Sequence, residues 1–143
     1  MKKILFVASE CVPFIKTGGL ADVVGSLPKY LNKDEFEVRV ILPKYLAIKD
    51  EYKSQMTYKT HFYIDLAWRR QYVGIQELEY EGIKFYFIDN EFYFAGSKPY
   101  GEIYEDIEKF AFFSLAALSA IPSLDFKPDL IHCHDWQTGL IPV

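Results

Sequence analysis

Residues 3–8, KILFVA, form an unbroken apolar run of the kind carried by a strand buried on both faces of a parallel sheet. After a loop, apolar residues recur at helical spacing at Leu20, Val23, Val24, Leu27 and Leu31. That spacing predicts a helix from about Leu20 to Leu31, packed on the core. Pro28 falls inside the pattern and is expected to kink the helix or shorten its last turn. EVRVILP, residues 37–43, reads as a second strand ended by Pro43. Strand, helix and strand within about forty residues make a βαβ unit, which implies a parallel sheet and a right-handed crossover.

The middle of the chain breaks this rhythm. TYKTHFYIDL (57–66), QYVGIQELEY (71–80) and IKFYFID (83–89) are rich in β-formers, and Glu81-Gly82 reads as a hairpin turn between the last two. NEFYFAGSKPYGEIY (90–104) reads as a loop punctuated by Gly96, Pro99 and Gly101. EDIEKFAFFSLAALSAI (105–121) is a helix with a broad apolar face, closed by Pro122. PDLIHCHDW (128–136) is a further buried strand running into a polar tip. DWQTGLIPV reads as a loop opening another helix, so the chain is expected to be a piece of a longer protein that stops early in a crossover. The predicted fold class is α/β, a Rossmann-like parallel sheet with helices on both faces and an inserted β-hairpin region. It occupies one domain, residues 1–143, without internal repeats.

Composition narrows the function. Half the residues are hydrophobic and 25% are charged, an ordinary globular balance. Aromatic residues reach 17%, so some are expected to line a surface that another domain or a ligand covers. The net charge of −4 argues against nucleic acid, whose phosphates select basic faces. The charge is uneven: residues 1–70 carry 12 basic and 8 acidic side chains, residues 71–143 carry 4 and 12. An anionic ligand would be drawn to the first half. No apolar run reaches membrane-spanning length. MKKILFVASE meets Glu10 too early for a signal peptide and reads as a strand. Cys11 and Cys133 make no disulfide framework and suit a reducing compartment.

Three places carry candidate chemistry. In IKTGGL the segment Lys16, Thr17, Gly18, Gly19 lies between the first strand and the first helix, at the edge where doubly wound sheets bind ligands. Backbone N–H groups and the helix dipole favour anions there, and glycines permit close approach. The alternative is a glycine turn with a solvated lysine, since the lysine precedes the glycines and no Walker or dinucleotide motif is formed. Asp22, in the first helical turn, either complements the dipole or meets sugar hydroxyls. HCHDW places His132 and His134 on one strand face. His132 is expected to be packed and hydrogen-bonded, deeper in the sheet, and His134 to sit at the ligand edge. No second ligand pair exists for a structural zinc, so no metal is expected.

FVASECVPFIKTGGLADVVGSLPKYL followed by VRVILPKY resembles the N-terminal domain of bacterial glycogen synthases and plant starch synthases. YFIDN, KFAFFSLAAL and PDLIHCHDWQTGLIPV continue the resemblance in the same order over essentially the whole chain. It implies the N-terminal, acceptor-side domain of a GT-B glycosyltransferase. Such an enzyme has two Rossmann-like domains and moves glucose from ADP-glucose to the non-reducing end of an α-1,4-glucan. Configuration is retained, and neither metal nor cofactor is used. The partners implied are ADP-glucose, glycogen and a C-terminal nucleotide-binding domain that is absent from this chain.

By the same resemblance Lys16 approaches the donor phosphates, Thr17, Gly18 and Gly19 line the donor, and Asp22 lies in the cleft. His134 lies over the donor glucose, and Asp106 matches the aspartate of an Asp-Asn-x-x-Arg-Phe pattern near the transferred glucose. That pattern departs here, with Ile107 and Lys109 at its polar and arginine positions. Tyr72 and Trp68, in WRRQY, are placed toward glucan. An oxocarbenium-like state with charge moving onto the departing phosphate gives a lysine and aimed N–H groups their purpose. No side-chain nucleophile is evident. Alternatives are a related enzyme with another nucleotide-sugar donor, or a non-enzymatic glucan-binding module. The compartment expected is the bacterial cytoplasm, and the chain alone is expected to be inactive.

Overall fold

The computed structural model describes residues 1–66, 69–96 and 98–143. Its centre is the apolar strand β1 (Lys2–Val7), whose Leu5, Phe6 and Val7 are all but inaccessible to solvent. β1 pairs in parallel with β2 (Phe36–Pro43) on one side and with β6 (Leu130–Cys133) on the other. β2 pairs in parallel with β5 (Ile83–Asp89). β3 (Thr57–Leu66) and β4 (Arg69–Tyr80) extend the same sheet antiparallel, giving the order β3-β4-β5-β2-β1-β6. The inserted hairpin region is thus a continuation of the main sheet.

Helices lie on both faces. α1 (Gly19–Tyr30) follows β1, with Pro28 beside Val38 and Ile83. On that face Phe14 sets its ring edge-on against Phe85 and Phe87, at 4.8 and 5.2 Å. α4 (Ile103–Ala120) covers the opposite face, continued by a 3-10 turn at Ile121–Ser123 and Leu124, whose carbonyl accepts from the Tyr86 hydroxyl at 3.1 Å. Two four-residue helices complete the set, α2 (Asp50–Lys53) and α3 (Glu91–Phe94). No helix among the described residues is long and apolar enough to cross a membrane.

Several expectations are corrected. Of the stripe expected on α1, Val24 is buried and Leu20, Leu27 and Leu31 pack against the core, whereas Val23 is 51% exposed and Ala21 and Pro28 are buried as well. The cause is close packing of the helix on the turn before it. Val12 N–H donates to Ala21 O at 3.1 Å, and a Cβ on Gly25 would lie 2.4 Å from Val12 Cγ2. Small residues therefore face the turn, and the buried face takes in Ala21 in place of Val23. Pro28 lies inside the helix, which ends two residues later.

The segment 90–104 is not all loop, because the Asn90 side chain accepts from Tyr93 N–H and starts α3. Within residues 1–143 β6 lies at the edge of the sheet rather than inside it, with Leu130 57% exposed. The expected burial of the histidines is reversed as a result. His132 is open at the sheet edge, and His134, beyond the last paired residue, is buried. The Glu81-Gly82 turn is as expected, with φ of 50° and 80°, the positive values a tight hairpin requires.

Candidate functional site

β1, β2, β5 and β6 end at one edge, and the loops leaving that edge hold most of the candidate residues. β1 runs into Ala8, Ser9 and Glu10, all buried. The chain then closes a tight turn in which Cys11 N–H donates to Ile15 O, and the Phe14 and Ile15 N–H groups donate to Cys11 O. Phe14 anchors this turn in the core and delivers Lys16 and Thr17 to the surface. Glu10 fixes the next step, accepting from Thr17 N–H at 2.8 Å and from the Thr17 hydroxyl. Lys16 Nζ stands 2.7 Å from Asp22 Oδ2, both side chains 53% exposed.

Gly18 occupies the N-cap of α1 with extended backbone and offers no capping side chain. Neither glycine is demanded by the chain's own geometry. A Cβ on Gly19 would meet nothing within 4 Å, and one on Gly18 only Glu10 Oε1 at 3.9 Å.

Ser9 links this loop to a second one. Its hydroxyl lies 2.6 Å from the Tyr100 hydroxyl, and its carbonyl accepts from the Tyr45 hydroxyl at 2.8 Å. Burial raises both tyrosine pKa values, that of Tyr45 well above the ordinary range, so both phenols stay protonated. Asp106, buried in the first turn of α4, accepts from Gly101 N–H and lies 3.4 Å from Lys109 Nζ. Tyr100, Asp106, Lys109, Arg69 and Tyr93 line a cleft of about 580 Å³.

His134 caps the end of β6, its N–H donating to Val7 O at 3.1 Å. Its ring lies 5.0 Å from that of Phe6 and 4.3 Å from that of His132, and its Nε2 has no hydrogen-bond partner among the described residues. Burial, and then the neighbouring His132, lower its pKa to about 4. It is neutral at pH 7. Asp135 follows at φ 64° and ψ −175°, a region essentially confined to glycine, held by its carboxylate accepting from Trp136 N–H at 2.7 Å. Trp136 packs on Phe110 and Phe110 on Tyr100, joining this corner to the cleft wall.

The structure therefore gathers Lys16, Thr17, Gly18, Gly19 and Asp22 around one helix start, and connects Asp106 to them through Tyr100 and Ser9. His134 ends the neighbouring strand. Tyr72 stands apart on β4, its ring stacked on His61 at 5.6 Å and edge-on to Tyr63 at 5.9 Å. It lines a groove with Arg70, Asn90 and Phe92. Trp68 lies outside the described residues. Sequence reasoning missed Ser9, Glu10, Tyr45 and Tyr100. A carboxylate two residues beyond the apolar run Ile4–Ala8, at the ligand edge, was the available signal for Glu10. Among the described residues no three His, Cys, Asp or Glu side chains are placed to hold a metal ion.

Residues 3–143 match the family described as the starch synthase catalytic domain. The glycogen synthases of Lachnoclostridium phytofermentans and Lachnospira eligens are each 72% identical over 143 residues, all of this chain and 30% of theirs. That of Desulforamulus reducens is 57% identical over 139 residues, 97% of this chain and 29% of its own length. Among solved structures, the catalytic domain of starch synthase IV from Arabidopsis thaliana, bound to ADP and acarbose, superposes with a TM-score of 0.80 at 32% identity. The match covers 98% of this chain and 29% of that one. The chain thus spans about three tenths of the length of the curated relatives it matches.

Proposed function

Since the chain belongs to the starch synthase catalytic domain family, we propose that it is the N-terminal, acceptor-side domain of a glycogen synthase. That enzyme moves glucose from ADP-glucose to the non-reducing end of an α-1,4-glucan with retention of configuration. The observation that carries the reading is the Lys16–Gly19 loop, held by buried Glu10 at the start of α1, in a chain 72% identical throughout to glycogen synthases.

The diphosphate of the donor lies against Gly18 and Gly19, where the glycines leave room and the helix N-terminus supplies N–H donors. Lys16 leaves Asp22 and pairs with the departing phosphate. An exposed pair of this kind is worth only about 0–1 kcal/mol and exchanges readily. Neutral His134 faces the reacting sugar from the end of β6, where a cation would oppose the positive charge growing at the anomeric carbon. Asp106 stands in the wall of the adjoining cleft beside Tyr100, and Tyr72 serves the glucan on the outer hairpin. The nucleotide is held by a C-terminal domain of the same polypeptide, beyond this chain, and no metal or cofactor takes part. A cytoplasmic location goes with this reading, and unpaired Cys11 and Cys133 suit a reducing compartment.

The test is transfer of labelled glucose to glycogen by the full-length enzyme, with ADP-glucose and UDP-glucose compared. Preference for UDP-glucose would move the enzyme to a related donor class. Glycogen binding without transfer from either donor would make it a binding module.

A further inference from the structure

Two side chains of α4 grip the backbone on either side of Tyr100. Asp106 accepts from the Gly101 N–H, at 3.1 Å to Oδ1 and 3.0 Å to Oδ2. Lys109 donates to the Pro99 carbonyl at 2.6 Å and lies 3.4 Å from Asp106 Oδ1. Spacing of i, i+3 puts the two on one helix face. Their side chains are 12% exposed for Lys109 and 5% for Asp106, so they were desolvated together. Desolvation offsets most of the attraction in such a pair, and losing one partner strands the other's charge. The pair therefore does more for geometry than for net stability. Between the two gripped groups, Tyr100 sends its hydroxyl to Ser9 at the head of β1.

We infer that Asp106 and Lys109 are positioning residues. They bracket Tyr100 from its two neighbours and set its ring and hydroxyl against Ser9, next to the Glu10–Thr17 contact, without touching the reacting sugar. The Asp106 carboxylate is turned toward its own helix start, the loop amide and Lys109, which is the geometry of a staple. A lysine suits this place because one compact ammonium serves a carbonyl and a carboxylate lying in different directions.

The inference rests on the glycogen synthase reading for its kinetic consequences only, so two measurements on the full-length enzyme are paired. Hydrogen exchange of the Gly101 amide reports the bracket whatever the enzyme's substrate. Lys109→Met is expected to speed that exchange tenfold or more, and to raise the KM for ADP-glucose or glycogen at least fivefold with a smaller change in kcat. Lys109→Arg, which can restore both contacts, is expected to return exchange and KM to within about twofold of the parent. Asp106→Ala combined with Lys109→Met should be no worse than Asp106→Ala alone. Should Asp106→Ala fail to fold, Asp106→Asn replaces it in the same comparison. Two results would overturn the bracket. One is parent-like Gly101 exchange in both the Lys109→Met and Asp106 variants. The other is a hundredfold or greater loss of kcat in Asp106→Asn beside parent-like kinetics in Lys109→Met, which would put Asp106 at the reacting sugar. If the parent does not use ADP-glucose, the glycogen synthase reading fails and the exchange measurement still decides the bracket.

Discussion

Lys16 and Gly19 sit three residues apart, and the structure asks different things of them. On the proposed reading Lys16→Gln removes one charged phosphate contact and is expected to weaken ADP-glucose use by about 1.5–3 kcal/mol without loss of fold. Parent-like KM and maximal rate in that variant would show a lysine that serves only Asp22. Gly19 has room for a methyl group and no positive φ, so Gly19→Ala is expected to keep or raise stability, by about 0.4–1 kcal/mol. Donor binding should fall nonetheless, because the methyl group stands where the phosphate approaches. A variant that melts higher yet binds donor normally would remove the glycines from the site. His134 carries a pH consequence. Its pKa in the fold is about 4 against an ordinary 6.5, so below pH 6.5 the unfolded chain takes up a proton that the folded chain refuses. Its contribution to stability is therefore full above pH 6.5 and is lost progressively as the pH falls toward 4. Melting temperatures at pH 7 and pH 5 should differ less in His134→Gln than in the parent. For catalysis, His134→Ala is expected to lower the maximal rate a hundredfold or more, about 2.7 kcal/mol at 1.36 kcal/mol per tenfold. Exposed His132→Ala should leave rate and melting near the parent values.

Elements were legible in the sequence where their own residues decide them. β3 and β5 begin and end at the residues expected, since β-branched and aromatic runs bounded by turn residues carry strand length locally. The Glu81-Gly82 turn was legible because only certain residues accept two successive positive φ values. Lys29 then ties α1 to that turn by pairing with Glu81. What sequence pattern does not carry is the neighbour. The burial of Ala21 in place of Val23 goes with Val12 meeting Gly25, and the burial of His134 goes with Asp135 turning the chain just after β6. α3 is too short to show a helical period and exists through its Asn90 cap. The α1 packing makes its own prediction. Gly25→Ala would put a Cβ 3.0 Å from the Val12 carbonyl as well as against its side chain, and is expected to destabilise the fold by about 1–3 kcal/mol. Urea unfolding of the variant measures this, and an unchanged midpoint would mean that the helix and turn separate without cost.

At the scale of the whole molecule, the Lys16–Gly19 loop, Asp22 and His134 lie along one rim of the sheet, and on the proposed reading a second domain supplies the other wall of the nucleotide site. The chain expressed alone is expected to transfer no label from ADP-glucose to glycogen, and clear turnover would refute the need for a second domain. The fold class and the rim were legible because a βαβ start and the Lys-Thr-Gly-Gly block settle both, whereas Tyr45 and Tyr100 were not, because their roles arise from contacts across 36 and 91 residues. A still longer separation has a consequence for biosynthesis. β1 is made before β6, and its flank toward β6 closes only when Asp129 reaches Lys3, where the two residues exchange hydrogen bonds across 126 residues of chain. At about 5–20 residues per second the ribosome needs roughly 6–25 s to supply that partner. Throughout that interval the nascent chain carries Leu5, Phe6 and Val7 on a strand with one open edge, a target for holdase chaperones before any part of the site can work.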